Sequence, residues 1–212
     1  MSNFVDTYYN RSSYTLAAYE EHIAPLCDVG AGIAAAALEC IDMQAHRAKH
    51  PRLGTVDHIS CHSMHTSRGD RAAADNAALA RSVGRALGER LEVPVMLYGS
   101  ATGAVDGRET AVSLAELRRS LGYFARNPRR DVDDEWAGLP PGLLGGAGAA
   151  ARPAFGPAGR IDGRVGVACV GSVPWVTNFN VQLDTDRMDI AKVRDPRAVR
   201  VASRRVRGPL TR

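Results

Sequence analysis

Pro51 is the residue that most constrains this chain. A proline bars the helical region to the residue before it and donates no backbone N–H. An Ala-rich stretch that reads as helix must therefore stop at His50. The run Lys49-His50-Pro51-Arg52-Leu53-Gly54 becomes a corner between that helix and a strand opening Val56-Asp57-His58. The imidazole of His50 then projects from a fixed bend. With an unperturbed pKa of about 6.5 it can accept or donate a proton near neutral pH, as amine or amidine transfer requires. Helix stops of this kind also occur without chemistry, so spacing alone leaves both readings open.

Periodicity lays out the rest. Residues 12–19 carry the Tyr and Thr of a strand, preceded by a polar turn from Asp6 to Arg11. A helix capped by Asp28, with Ala34, Leu38 and Ile41 on one face, runs to Lys49. Thr55 to Met64 predicts a second strand. Asp70 to Leu91 predicts a second helix whose stripe Leu79, Val83, Leu87, Leu91 belongs to the core. A short strand follows at Val93-Pro94-Val95-Met96-Leu97-Tyr98, with its proline near the start where a missing donor costs least. Ser113-Leu114-Ala115-Glu116 is a capping box opening a short helix. Residues 126–164 are rich in Gly, Pro and acidic groups without a sustained period, which predicts a long loop. Val165 to Val170 and Trp175 to Leu183 read as strands joined by Gly171-Ser172-Val173-Pro174, as in a hairpin or two neighbours. Strands and helices in this order fit a sheet layered with helices.

Composition narrows the function classes. No apolar run is read here as approaching the roughly 18 residues that span a bilayer, and the N-terminus has no secretory pattern, so the expectation is a cytoplasmic protein with no membrane partner. Cys27, Cys40, Cys61 and Cys169 are too scattered for a disulfide scaffold or thiolate metal site. The formal charge is +4, but from Asp184 to Arg212 nine Lys/Arg stand against four Asp/Glu, so the remainder is near neutral. A basic tail without interleaved aromatics implies only unspecific phosphate binding, hence no specific nucleic-acid partner.

His46 and His50 are four apart, and His58, Cys61, His62 and His65 follow closely, a spacing that raises a metal site as one reading. Pro51 spoils the helical pair, and His58, His62 and His65 on one strand do not all face one side; the expectation is no metal. Asp57 can orient an imidazole or be a solvated strand residue. Arg52 can fork onto a carboxylate or lie exposed.

Residues Ile41 to Asp57 as a block are similar to a helix and a His-Pro-Arg-x-Gly-x-x-Asp turn of the glutamate formiminotransferase family. The supporting pieces are Asn10-Arg11-Ser12-Ser13-Tyr14-Thr15, the Val93 to Tyr98 strand, Phe155-Gly156-Pro157 and Phe179-Asn180-Val181. The chain resembles the family's N-terminal subdomain, and its Tyr-rich start and Trp175 look closest to the plant-type, noncyclodeaminase branch.

The resemblance implies an α+β, ferredoxin-like two-layer sandwich with a mixed sheet and helices mainly on one face. It implies a subdomain over residues 1–183, incomplete at its N-terminus, with the Arg-rich 184–212 in place of a second subdomain. The activity implied is transfer of a formimino group from N-formimino-L-glutamate to N5 of tetrahydrofolate, a co-substrate. His50 carries over as the catalytic acid and base, with Asp57 and Asp6 as orienting groups and Arg52 and Arg11 as carboxylate partners. Asn10, Gly156, Pro157, Gly166 and Asn180 carry over to substrate or folate binding. A homo-oligomer or a second-subdomain partner would complete the site. The alternative is a non-catalytic folate-binding or protein-interaction module of the same ancestry, whose unpaired sheet edge meets a partner.

Overall fold

A computed structural model describes residues 1–46, 48, 50–64, 69–105, 108–109, 111–123, 152–159 and 161–173. Two antiparallel strands come first, β1 (Ser2–Asp6) and β2 (Arg11–Thr15), with Asp6 opposite Arg11. The expected strand over 12–19 thus ends at Thr15, and its partner is a segment where no strand was expected. In the turn between them Asp6 Oδ1 accepts the Tyr9 N–H at 2.9 Å, and Asn10 adopts φ 46°, a left-handed conformation that asparagine tolerates.

The first long helix, α1 (Ile23–Cys40), departs from expectation at both ends. Asp28 is no cap; it lies within the helix and pairs with Arg90 at 2.7 Å. Nor does the helix reach Lys49. Ile41 turns extended, the Asp42 carboxylate accepts the Gln44 N–H at 2.9 Å, and Met43 is 2% exposed. The aspartate offers the backbone a turn in place of a further helical bond. His50 therefore stands in a loop rather than at a helix end. With 18 residues and mean hydropathy 1.5, α1 is by length and composition apolar enough to cross a membrane, which corrects the expectation that no such run exists. In this fold it packs against α2 (Gly69–Arg90).

The main sheet joins β3 (His58–Cys61), β4 (Val95–Gly99) and β7 (Ala168–Ser172) in the order β3-β7-β4, with both pairs parallel. A central parallel strand is covered on both faces, and Ala-Cys-Val-Gly-Ser is small and apolar enough to be buried along its whole length. Both edges of β7 are taken, so the expected hairpin finds no open edge there; its second strand, Trp175 to Leu183, lies outside the described residues. Among the described residues, antiparallel pairing is confined to β1–β2, the short β5 (Ala104–Val105) with β6 (Arg108–Glu109), and two isolated bridges. The sheet expected to be mixed is thus parallel in its described strands.

Strand alternation divides the core in two. Val95, Ala168, Val170 and Cys61 face α1 and α2 together with Ala34, Ala80 and Leu87. Leu79, Val83 and Leu91 pack there as the stripe predicted. Met96, Tyr98 and Cys169 face the other way, onto Leu53, Ile161, Tyr123, Leu117 of α3 (Leu114–Ser120) and Leu121 just after it. The capping box holds as read: Ser113 Oγ accepts the Glu116 N–H, and the Glu116 carboxylate accepts the Ser113 N–H. The two long helices lie on one face and the short one on the other, giving mixed α+β content. Cys61 and Cys169 are buried free thiols, each pushed up to about 12 by desolvation.

Candidate active site at the His50 corner

His50 is held by three groups. Its Nδ1 lies 2.8 Å from the Pro51 carbonyl, its ring is 4.7 Å from that of Tyr9, and Tyr123 meets it edge-on at 6.1 Å. A carbonyl only accepts, so Nδ1 carries the hydrogen and Nε2 keeps the lone pair. Desolvation lowers the His50 pKa, and the positive charges of Arg11 and Arg52 lower it further, against the opposing Pro51 carbonyl and Asp57. The result is a half-buried imidazole, neutral at pH 7, whose tautomer is set by the backbone of its own turn.

Arg52 is 8% exposed, so it is neither free at the surface nor open to a carboxylate. Its guanidinium donates to the carbonyls of Asn10 at 2.9 Å, Tyr9 at 2.5 Å and His50 at 3.3 Å. It fastens the β1–β2 turn, with Tyr9, onto the His50 loop. Asp57 is likewise committed: one oxygen accepts the Leu53 N–H at 2.5 Å, and the other pairs with Arg118 at 2.9 Å. Arg118 lies over the Tyr123 ring, 4.5 Å from its centroid, which links Asp57 through Arg118 to the ring that meets the imidazole.

The other expected site residues divide by location. Asp6 and Asn10 shape the hairpin turn, and Asn10 Nδ2 also approaches His46 Nδ1 at 3.4 Å. Arg11 is exposed and covers the Tyr9 ring at 4.9 Å. Gly166, at φ 72°, meets the His50 loop backbone to backbone: a Cβ there would lie 2.2 Å from the Leu53 carbonyl oxygen, and Gly54 is as tightly enclosed. Gly156 is a packing glycine elsewhere. Its added Cβ would lie 2.2 Å from the Val93 oxygen, beside Gly88 of α2, on the sheet face opposite the one that holds Tyr123. Pro157 is exposed next to it, and Asn180 lies outside the described residues. The sequence reading passed over Tyr9, Tyr123 and Arg118. Only the capping box ahead of α3 hinted that Arg118 would stand on a defined helix. Among the described residues no three His, Cys, Asp or Glu side chains converge on one ion.

A second histidine, His58, has its Nε2 2.7 Å from Tyr98 Oη. Desolvation there, then Arg118 and His62, pushes its pKa down to about 4, although the residue as a whole is exposed. His50 and His58 both resist protonation when folded, whereas unfolded histidine binds a proton below about pH 6.5. The unfolded chain then holds more protons, so stability falls as pH drops from about 6.5 toward 4. Urea unfolding at pH 7 and pH 5 reads this directly as a lower midpoint at pH 5; an equal or higher midpoint contradicts it.

Fold and corner together define an α+β domain that presents a neutral, backbone-oriented imidazole beside two tyrosines, an arrangement suited to proton transfer. The chain belongs to the formiminotransferase domain family and matches its N-terminal subdomain over residues 1–173. It is 30% identical over 188 residues to a formiminotransferase cyclodeaminase-like protein of Arabidopsis thaliana, covering 85% of this chain and 56% of that one. Against a glutamate formimidoyltransferase of Thermoplasma acidophilum the identity is 31% over 162 residues, 76% of this chain and 45% of the relative. A formimidoyltransferase-cyclodeaminase of Sus scrofa is 29% identical over 178 residues, 84% of this chain and 28% of the relative. The chain spans about half the length of the first two.

Proposed function

We propose that this chain takes part in formimidoyl transfer from N-formimino-L-glutamate to tetrahydrofolate, with His50 as general base and then general acid. The observation that carries the reading is the His50 tautomer: Nδ1–H is engaged by the Pro51 carbonyl, which leaves Nε2 basic. N5 of the reduced folate attacks the amidine carbon, and Nε2 takes the proton that N5 must lose. The same nitrogen returns that proton to the glutamate amine as the C–N bond to it breaks, so no other proton source is needed. Arg52 and Asp57 act as positioning groups in this scheme, since the two terminal nitrogens of Arg52 and both Asp57 oxygens are engaged with the protein. Arg11, exposed beside Tyr9, is the candidate partner for a substrate carboxylate. A second-subdomain partner or a second copy supplies the remaining walls of the folate site.

Isothermal titration calorimetry with a reduced folate tests the binding half. Saturable, roughly stoichiometric binding, weakened in Arg11→Ala, is the expected outcome. Absence of heat at millimolar ligand removes folate from the proposal.

A further inference from the structure

A second polar group lies on the same sheet face as Tyr123, and the formimidoyl reaction does not use it. His58, Ser60 and His62 alternate along β3 and its exit, so all three point to one side. Ser60 Oγ is 2.7 Å from His62 Nε2, and His62 Nδ1 is 3.0 Å from the Val173 carbonyl at the end of β7. On the same face the Tyr98 hydroxyl lies 2.7 Å from His58 Nε2 and donates to the Ile59 carbonyl at 3.4 Å.

The carbonyl at one end fixes the direction of the bonds through His62. Val173 can only accept, so His62 Nδ1 carries the hydrogen and Nε2 accepts. Ser60 therefore donates to His62. Tyr98 donates to the Ile59 carbonyl, and His58 donates to Tyr98 through Nε2–H. A serine hydroxyl has one hydrogen and two lone pairs. The Ser60 hydrogen is directed at a base, and its lone pairs are left to attack. Nucleophile and base at hydrogen-bond distance, with the base turned by a third group, is the arrangement that activates a hydroxyl. Here a main-chain carbonyl plays the orienting part usually given to a carboxylate.

We propose that Ser60 is a nucleophile, with His62 as its base, that accepts the acyl group of small activated carboxylic esters. Ser60 Oγ bonds to the ester carbon while its proton passes to His62 Nε2. The ester C–O bond breaks, and His62 protonates the departing oxygen. Water activated by the same imidazole then releases the acid and restores the hydroxyl. Ser60 is only half-buried, which admits a short acyl chain.

The test is p-nitrophenyl acetate with peptide mass mapping of the wild-type chain. One acetyl group on Ser60 is expected, absent from Ser60→Ala and formed about 10²-fold or more slowly in His62→Gln, in line with the usual contribution of a general base. Glutamine can still donate to the Val173 carbonyl, and circular dichroism confirms that each variant is folded. Ser60→Cys provides a second route: a thiol placed there is expected to be acetylated faster than Cys40, which lies exposed at the end of α1. Acetyl groups confined to other residues, Ser60 labelling undiminished in His62→Gln, or no labelling above that of the urea-unfolded chain each overturn the proposal.

Discussion

His50→Gln is expected to lower formimidoyl transfer from N-formimino-L-glutamate to tetrahydrofolate by about 10²–10⁴-fold, the range that general acid–base groups contribute. Glutamine cannot carry a proton between N5 and the departing amine. The fold is expected to survive. The imidazole covers Tyr9 and meets Tyr123 by its edge, and an aromatic pair of this kind is worth about 0.5–1.5 kcal/mol. Single-turnover transfer with labelled formiminoglutamate, alongside a thermal melt, separates lost chemistry from lost structure. A folded His50→Gln chain that transfers as fast as wild type removes the imidazole from the mechanism. A wild-type chain that binds reduced folate without transferring to it favours the binding-module reading.

Arg52→Ala has its largest expected effect on stability. The guanidinium is buried and spends its donors on three main-chain carbonyls, two of them in the β1–β2 turn. Hydrogen bonds to a charged group are worth about 1.5–3 kcal/mol, and losing several that share one side chain is expected to cost about 2–4 kcal/mol. A two-stranded hairpin is marginal by itself, so the loss should appear first there. Hydrogen exchange at Tyr9 to Arg11 and the urea midpoint report it together. Arg52→Lys is expected to recover only part, because an ammonium cannot reproduce the planar fork. The variant also removes a positive charge that depresses His50, so the His50 pKa is expected to rise. Protection and midpoint both unchanged in Arg52→Ala would mean that the hairpin stands without this tie.

The elements that sequence reading placed well are those whose signals are local. The four-residue stripe of α2 and the reciprocal Ser113–Glu116 cap need only neighbours within two turns, and both stand where periodicity put them. Where a choice was settled by distant partners, the reading failed. α1 ends at Cys40 because Met43 is drawn into the core and bonded to the Arg164 carbonyl, more than a hundred residues on. Its alanines alone gave no reason to stop before Pro51. The segment that holds β7 reads as a strand in a hairpin or beside a neighbour, and it enters between β3 and β4; its apolar run permits burial on both faces, but which strands flank it is set by distant partners.

The site divides along the same line. Pro51 by itself determined that His50 stands at a bend, because the proline ring restricts its neighbour whatever else the chain does. His-Pro-Arg as a string also carried the family. Only tertiary structure decided what surrounds the imidazole: Tyr9 from the opening hairpin, Arg118 from α3 and Tyr123 from just beyond it, and Gly166 from the approach to β7. It also turned Arg52 from a presumed substrate clamp into a buried tie. The physical reason is that a side chain's role depends on which donors, acceptors and charges reach it, and in this fold they arrive from segments far apart in the chain.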